Sequence, residues 1–285
     1  MSEVLSRPEV DINATLAEIF RALAADELVP YLGPGLLALT GSSLPSAPED
    51  VAAQLHKRAP APVRVRTNMW SVAQFIEGRR HRKTLQAYMA DIFSTPVAPS
   101  ALHAQLAALK PSLIVNTWYD GAMAAALTAA GRDFAEVQGA SRAIGFTNLW
   151  TRAYDTAGAE IPVETAARAK TVLYSPHGGA RPANNFLVSD SDYVEVMTEI
   201  DIQTPIPELV QSLRTTRGFL FLGCGFHDQM LRTYARQIMK RSKGPHYAVI
   251  DVATATRNEL RFLADQEVTI VSAALPAVEA ACSAR

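Results

Sequence analysis

Short apolar runs that end in glycine or polar residues recur along the chain and alternate with helix-like segments. The first run, 28–32, leads directly into the sequence GPG at 33–35. Later runs lead into NTWYD at 116–120, HGG at 177–179 and GCG at 223–225. Strands that alternate with helices usually form a parallel sheet covered by helices on both faces. The pattern therefore predicts an α/β fold with a Rossmann-like parallel sheet.

The segments between these runs carry apolar residues at helical spacing. The stretch 68–93 is predicted to form one or two helices. It lies in a block at about 40–100, which is predicted to be a small helical subdomain. Segment 131–168 is poorly periodic and is predicted to form a small insertion with short strands. A length of 285 residues without internal repeats fits one domain over 1–285.

Composition narrows the classes of partner. The formal net charge is -1, so nucleic acid is not an expected partner. Cys224 and Cys282 form no CxxC pair, so we expect no metal and a reducing compartment. No apolar run reaches the roughly 20 residues of a membrane helix, and the N-terminus lacks an apolar signal region, so we expect a cytoplasmic protein. The sequence leaves open whether the chain forms a homo-oligomer or binds a protein partner.

The glycine turn at 33–35 also fits the loose dinucleotide pattern G-x-G-x-x-A over 33–38. Glycines after a strand allow the backbone to approach a pyrophosphate at a helix N-terminus. The alternative is an ordinary strand-to-helix turn. A conventional dehydrogenase would also place an acidic residue about 20 positions further on, at the end of a second strand. Glu49 and Asp50 instead follow a Pro/Ser loop, which disfavours that class.

Five short motifs in order resemble the SIR2-like (sirtuin-like) superfamily, especially its bacterial domains without zinc. They are VPYLGPGLL at 29–37, NTWYD at 116–120, HG at 177–178, SDSDY at 189–193 and FLFLGCGFHDQML at 219–231. The resemblance extends over nearly the whole chain and implies the SIR2-like, DHS-type variant of the Rossmann-like fold. Each motif is short, so the specificity of the resemblance comes from their order.

The resemblance implies NAD or an ADP-ribose-type nucleotide as ligand. It also implies an NAD glycohydrolase rather than a zinc-dependent deacylase, if the protein is an enzyme. By position, His177 would be the general base and Asp120 would shape the ribose pocket, with Asn116 as the third catalytic candidate. The cofactor-binding candidates are Gly33, Pro34, Gly35, Leu36, Thr117, Trp118, Gly223, Cys224, Gly225 and Asp228.

Three residues depart from the family pattern. Trp118 occupies the position of the family's water-orienting Asn, and an indole has only a donor N–H. Pro34 has no backbone N–H for a phosphate, and Leu37 replaces a Ser. A catalytically inactive SIR2-like module that senses a nucleotide or binds a partner is therefore the alternative to an NAD hydrolase. In that case His177 would be only a hydrogen-bonded residue at a strand end.

Overall fold

The computed structural model describes residues 12–141, 150–193 and 206–283. The strands are β1 Leu28–Leu32, β2 Leu113–Asn116, β3 Phe134–Gly139, β4 Thr151–Tyr154, β5 Glu160–Ile161, β6 Thr171–Ser175, β7 Gly178–Gly179, β8 Asn185–Phe186, β9 Gly218–Leu222, β10 His246–Ile250 and β11 Val268–Ser272. The helices are α1 Ile12–Ala24, α2 Pro48–Arg58, α3 Met69–Arg80, α4 Arg82–Ile92, α5 Ala101–Ala108, α6 Ala122–Ala129, α7 Val163–Ala166, α8 Glu208–Arg214, α9 Gln229–Met239, α10 Arg257–Asp265 and α11 Leu275–Ser283. A 3-10 helix spans Pro34–Thr40.

Nine strands form one sheet in the order β11-β10-β9-β1-β2-β6-β3-β4-β5. The seven strands from β11 to β3 pair in parallel, and β4 and β5 continue the sheet antiparallel. In the centre, Tyr31 of β1 pairs with Val115 of β2 on one side and with Phe221 of β9 on the other. The predicted Rossmann-like parallel sheet is confirmed.

The two faces of the sheet bury separate apolar clusters because side chains alternate along each strand. Leu28 and Leu32 of β1 pack with α1, α5, α6 and α11. Val29 and Tyr31 belong to the opposite cluster, which includes Tyr234 of α9 and residues of α8 and α10. Helices therefore cover both faces, as the apolar character of the strands predicts.

The helices α2, α3 and α4 fall within the predicted subdomain at about 40–100 and share a third apolar cluster. The basic segment 79–83 belongs to this block, and Arg82 within it is buried. Its guanidinium is 9% exposed and donates to Asp192 at 2.7 Å and to Glu77 at 3.1 Å. A buried charge needs such partners, and Asp192 lies 110 residues away, beyond any local sequence pattern.

Segment 131–168 is predicted to be a small insertion with short strands, and its described part contains three strands. Its strands β3, β4 and β5 belong to the main sheet. The reason is that β3 pairs with β6 from Phe134–Thr171 to Gln138–Ser175 and buries Ala135 and Val137 in the core. The predicted domain boundaries themselves stay a prediction.

No helix within 12–141, 150–193 or 206–283 is long and apolar enough to cross a membrane.

Candidate functional site

An open crevice lies outside the carboxyl ends of β1, β9, β10 and β11. The chain leaves β1 towards β2 on one side and later returns to form β9 on its other side. This change of direction is a topological switch point, where open α/β sheets bind their ligands. The crevice has a volume of about 440 Å³, which is in the range of small-molecule pockets.

The lining of the crevice comes from five parts of the chain and is mostly apolar. The residues are Pro34, Gly35, Ala38, Leu39, Ser46, Ala47, Pro48, Gly223, Cys224, Gly225, His227, Leu231, Val249, Ile250, Asp251, Ala273, Ala274, Leu275 and Pro276. The turns after β1 and β9 thus meet here, and five predicted cofactor-binding residues, at 34–35 and 223–225, lie together.

The first glycine turn packs against the turn after β9. The Gly33 N–H donates to the Leu222 carbonyl at 2.8 Å, and the Gly35 N–H donates to the Gly223 carbonyl at 2.9 Å. The Leu36 N–H donates to the Gly33 carbonyl at 3.3 Å. These N–H groups of the turn are therefore already hydrogen-bonded to protein carbonyls.

Gly223 is required by geometry at this contact. Its φ is +66°, and a Cβ there would lie 2.5 Å from the Leu36 nitrogen. A Cβ on Gly33 would collide with the Gly223 carbonyl, and one on Gly35 would lie 2.9 Å from the same oxygen. The glycines of both turns therefore allow two backbones to touch.

Asp251 supplies a carboxylate at the crevice and is not among the predicted site residues. It directly follows β10 and is exposed. Its Oδ1 accepts the Ala253 N–H at 3.0 Å, which orders the turn. The sequence signal that points to Asp251 is an acidic residue directly after an apolar strand, because such residues bind ribose hydroxyls in dinucleotide folds.

A His–Glu pair bridges the helical block and the sheet at the edge of the crevice. His227 Nε2 lies 2.9 Å from Oε1 of Glu49, at the start of α2. The hydrogen bond to Glu49 raises the pKa of His227, and the same contact lowers the pKa of Glu49. The two side chains are 40% and 54% exposed, so solvent weakens the interaction.

The strand ends of β2 and β6 form a closed half, in which His177, Trp118 and their neighbours are buried. The His177 ring is 4% exposed and packs against Tyr193, with centroids 5.1 Å apart, and against Tyr234 at 4.8 Å. Burial lowers the pKa of His177 to about 3, so the imidazole is neutral near pH 7. A neighbouring cavity lined by Tyr174 and Tyr234 has a volume of about 10 Å³, the lower limit for one water.

Trp118 fills the core of the helical block. Its indole N–H donates to the Pro45 carbonyl at 2.8 Å, and its side chain is 3% exposed. The ring stands edge-on to Phe93 at 5.9 Å and packs against Tyr119 at 5.2 Å. Trp118 does not line the crevice.

The other polar candidates of the closed half are buried and hydrogen-bonded to the protein. Asn116 Nδ2 donates to the Trp118 carbonyl at 3.1 Å, and the Thr117 hydroxyl donates to the Leu32 carbonyl at 2.8 Å. Asp120 Oδ1 accepts the Ala122 N–H at the start of α6, at 2.6 Å. Burial raises the pKa of Asp120.

Three further candidates have structural contacts of their own. Leu36 lies in the apolar core. The thiol of Cys224 donates to backbone carbonyls, and burial raises its pKa, which disfavours the thiolate. Asp228 caps α9 by accepting the Met230 N–H at 2.7 Å and also accepts from Asn68 Nδ2 at 3.4 Å.

The motif at 189–193 holds the helical block against the β7–β8 hairpin. Asp192 Oδ2 accepts the N–H groups of Val188 and Ser189 as well as the guanidinium of Arg82. Arg82 also donates to the Phe186 carbonyl. Through this network the adjacent Tyr193 is fixed against His177.

The described ranges contain no group of three or more His, Cys, Asp or Glu side chains that could hold a metal ion.

A family model described as a SIR2-like domain matches residues 112–271, more than half of the chain. The matched span runs from just before β2 to within β11, and so includes the closed half and the turns after β9 and β10. No curated protein matches the chain. The ordered strand-end motifs, the parallel sheet and the family model agree, and the chain belongs to the SIR2-like domain family.

Proposed function

We propose that this chain is a nucleotide-binding SIR2-like module that holds the adenosine end of NAD or ADP-ribose in the crevice and does not hydrolyse NAD. The observation that carries the proposal is the open crevice of about 440 Å³ at the switch point of the sheet. Membership of the SIR2-like family indicates an NAD-related function in general.

The lining of the crevice suits a base with a ribose attached. Val249, Leu275 and Leu39 offer apolar walls for a flat ring. The exposed Asp251 carboxylate can accept hydrogen bonds from two ribose hydroxyls. Apolar walls with a few placed polar groups are typical of small-molecule pockets.

The closed half supports binding without turnover. A general base must lie within hydrogen-bond distance of the proton that it removes. The His177 ring instead packs between Tyr193 and Tyr234, and Trp118 occupies the position of the family's Asn. Hydrolysis of NAD, the second candidate, would require these side chains to leave the core.

Calorimetric titration with ADP-ribose tests binding. We expect saturable binding that weakens at least 10-fold in Ala274→Trp, because the indole fills the crevice. Ala277→Trp is the matched control, because Ala277 is exposed, lies three residues further on in α11 and does not line the crevice; it should bind normally. No saturable binding by the wild type at millimolar ADP-ribose would refute the proposal.

A separate assay tests the absence of turnover. Wild-type protein incubated with NAD should release no nicotinamide above the rate in buffer. Release that depends on His177, lost in His177→Ala while ADP-ribose binding persists, would identify an NAD glycohydrolase instead.

A further inference from the structure

The first glycine turn of the crevice offers no free N–H group that could recognise a pyrophosphate. Phosphate sites in nucleotide folds use backbone N–H groups of a glycine turn, with a cationic side chain. Here the N–H groups of Gly33, Gly35 and Leu36 are donated to protein carbonyls. Pro34 lies between the two glycines and has no N–H.

The charges around the crevice also disfavour a phosphate. No Lys or Arg is among its lining residues in the described part of the chain. Asp251 lines it, and Glu49 lies beside it through the contact with His227. The carboxylate of Glu259 accepts the Phe226 N–H at 2.7 Å, next to the same turn.

His227 is the one titratable cation that lines the crevice among the described residues. Three carboxylates act on it, those of Glu49, Glu259 and Asp228. A protonated His227 is therefore already compensated by neighbouring negative charge and has little attraction left for a dianionic ligand.

We propose that the crevice recognises an uncharged nucleoside and that the diphosphate of an attached nucleotide adds nothing to the affinity. This inference rests on the proposed function and narrows its ligand class. The apolar walls contact the base, and the Asp251 carboxylate accepts the ribose hydroxyls. The diphosphate extends towards solvent along an acidic edge.

Calorimetry of the full chain with adenosine and with ADP-ribose at pH 8 tests the inference. Adenosine should bind as tightly as ADP-ribose, to within a factor of three in Kd, or more tightly. Raising the salt concentration should change adenosine binding little, because adenosine carries no net charge. ADP-ribose that binds more than threefold tighter than adenosine would overturn the inference and leave the proposed function intact. If neither ligand binds, the proposed function fails and the inference with it.

A charge variant gives an independent readout. In Asp251→Asn the amide oxygen still accepts from a hydroxyl, but the negative charge is gone. The ratio of the ADP-ribose Kd to the adenosine Kd should fall severalfold. Glu18→Gln, which removes an exposed carboxylate on α1 that does not line the crevice, should leave the ratio unchanged. An unchanged ratio in Asp251→Asn would contradict the electrostatic part of the argument.

Discussion

The crevice and the closed half lie at the same edge of one parallel sheet but differ in what fills them. At the ends of β1, β9, β10 and β11, small and apolar residues leave about 440 Å³ open. At the ends of β2 and β6, Trp118 and His177 are 3% and 4% exposed. One half of the strand ends therefore leaves an open crevice, while the other half is part of the hydrophobic core.

The two halves are held in place by different contacts. The closed half depends on Phe93, which directly follows α4 and packs on Trp118, and on Tyr193, which packs on His177. The crevice depends on glycines that let two turns touch. The two halves can thus be altered separately, and each variant below changes one of them.

Trp118→Asn should have the largest effect, because it removes a buried indole and leaves a polar group in an apolar core. We expect a loss of about 4 kcal/mol in the free energy of unfolding, measured by urea denaturation. Under conditions where the variant remains folded, it should release no nicotinamide from NAD. Hydrolysis gained by this variant would show that the indole alone blocks an otherwise competent site.

Gly223→Ala should have the second-largest effect on the free energy of unfolding, because its Cβ would collide with the backbone of the first glycine turn. We expect a loss of about 3 kcal/mol, which combines overpacking with an unfavourable φ. Gly41→Ala is a matched control, since Gly41 has a φ of +68° and open space around its Cβ position. It should lose about 1 kcal/mol. Equal losses would mean that the turns do not need their close contact.

The buried His177 should make stability depend on pH. Its folded pKa of about 3 is below the unfolded value, so only the unfolded chain takes up this proton between about pH 6.5 and 3. The neutral, buried His177 therefore contributes its full stabilisation of the fold above pH 6.5, and this stabilisation decreases as the pH falls. At pH 5 the loss is about 2 kcal/mol. His177→Phe should remove it, as thermal melts at pH 7.5 and pH 5 would show. An identical pH dependence in both proteins would place His177 in solvent.

Glu49→Gln should have the smallest effect. The raised pKa of His227 stabilises the fold below pH 6.5, and this contribution disappears as the pH rises through the folded value. The lowered pKa of Glu49 stabilises the fold above about pH 4.5. The pair therefore contributes most between these limits, by about 0.5 kcal/mol or less, because both side chains are half exposed. Urea denaturation of wild type and variant at pH 5.5 and pH 8.5 measures it, and a larger effect at pH 8.5 would contradict the assignment.

The sequence alone was enough to predict the strands and the turns at their ends, because apolar runs and glycines act locally. Strand β1 has the predicted bounds, and the α/β class is confirmed. The motif order also predicts the SIR2-like family. These features need no knowledge of which residues meet in space.

Long-range packing decides what the sequence did not predict. The direction of the Trp118 side chain depends on Phe93 and on the Pro45 carbonyl, both distant in sequence. The use of the Gly33 and Gly35 N–H groups depends on the turn after β9. Asp251 was missed because its importance arises only when β10 lies beside β9 in the sheet.

A crystal structure of the protein soaked with NAD would show directly which half of the sheet edge holds the ligand. We expect adenosine in the crevice, with ribose hydroxyls on the Asp251 carboxylate and the Trp118 indole still hydrogen-bonded to the Pro45 carbonyl. A nicotinamide ribose within hydrogen-bond distance of His177, with Trp118 displaced from the core, would contradict it.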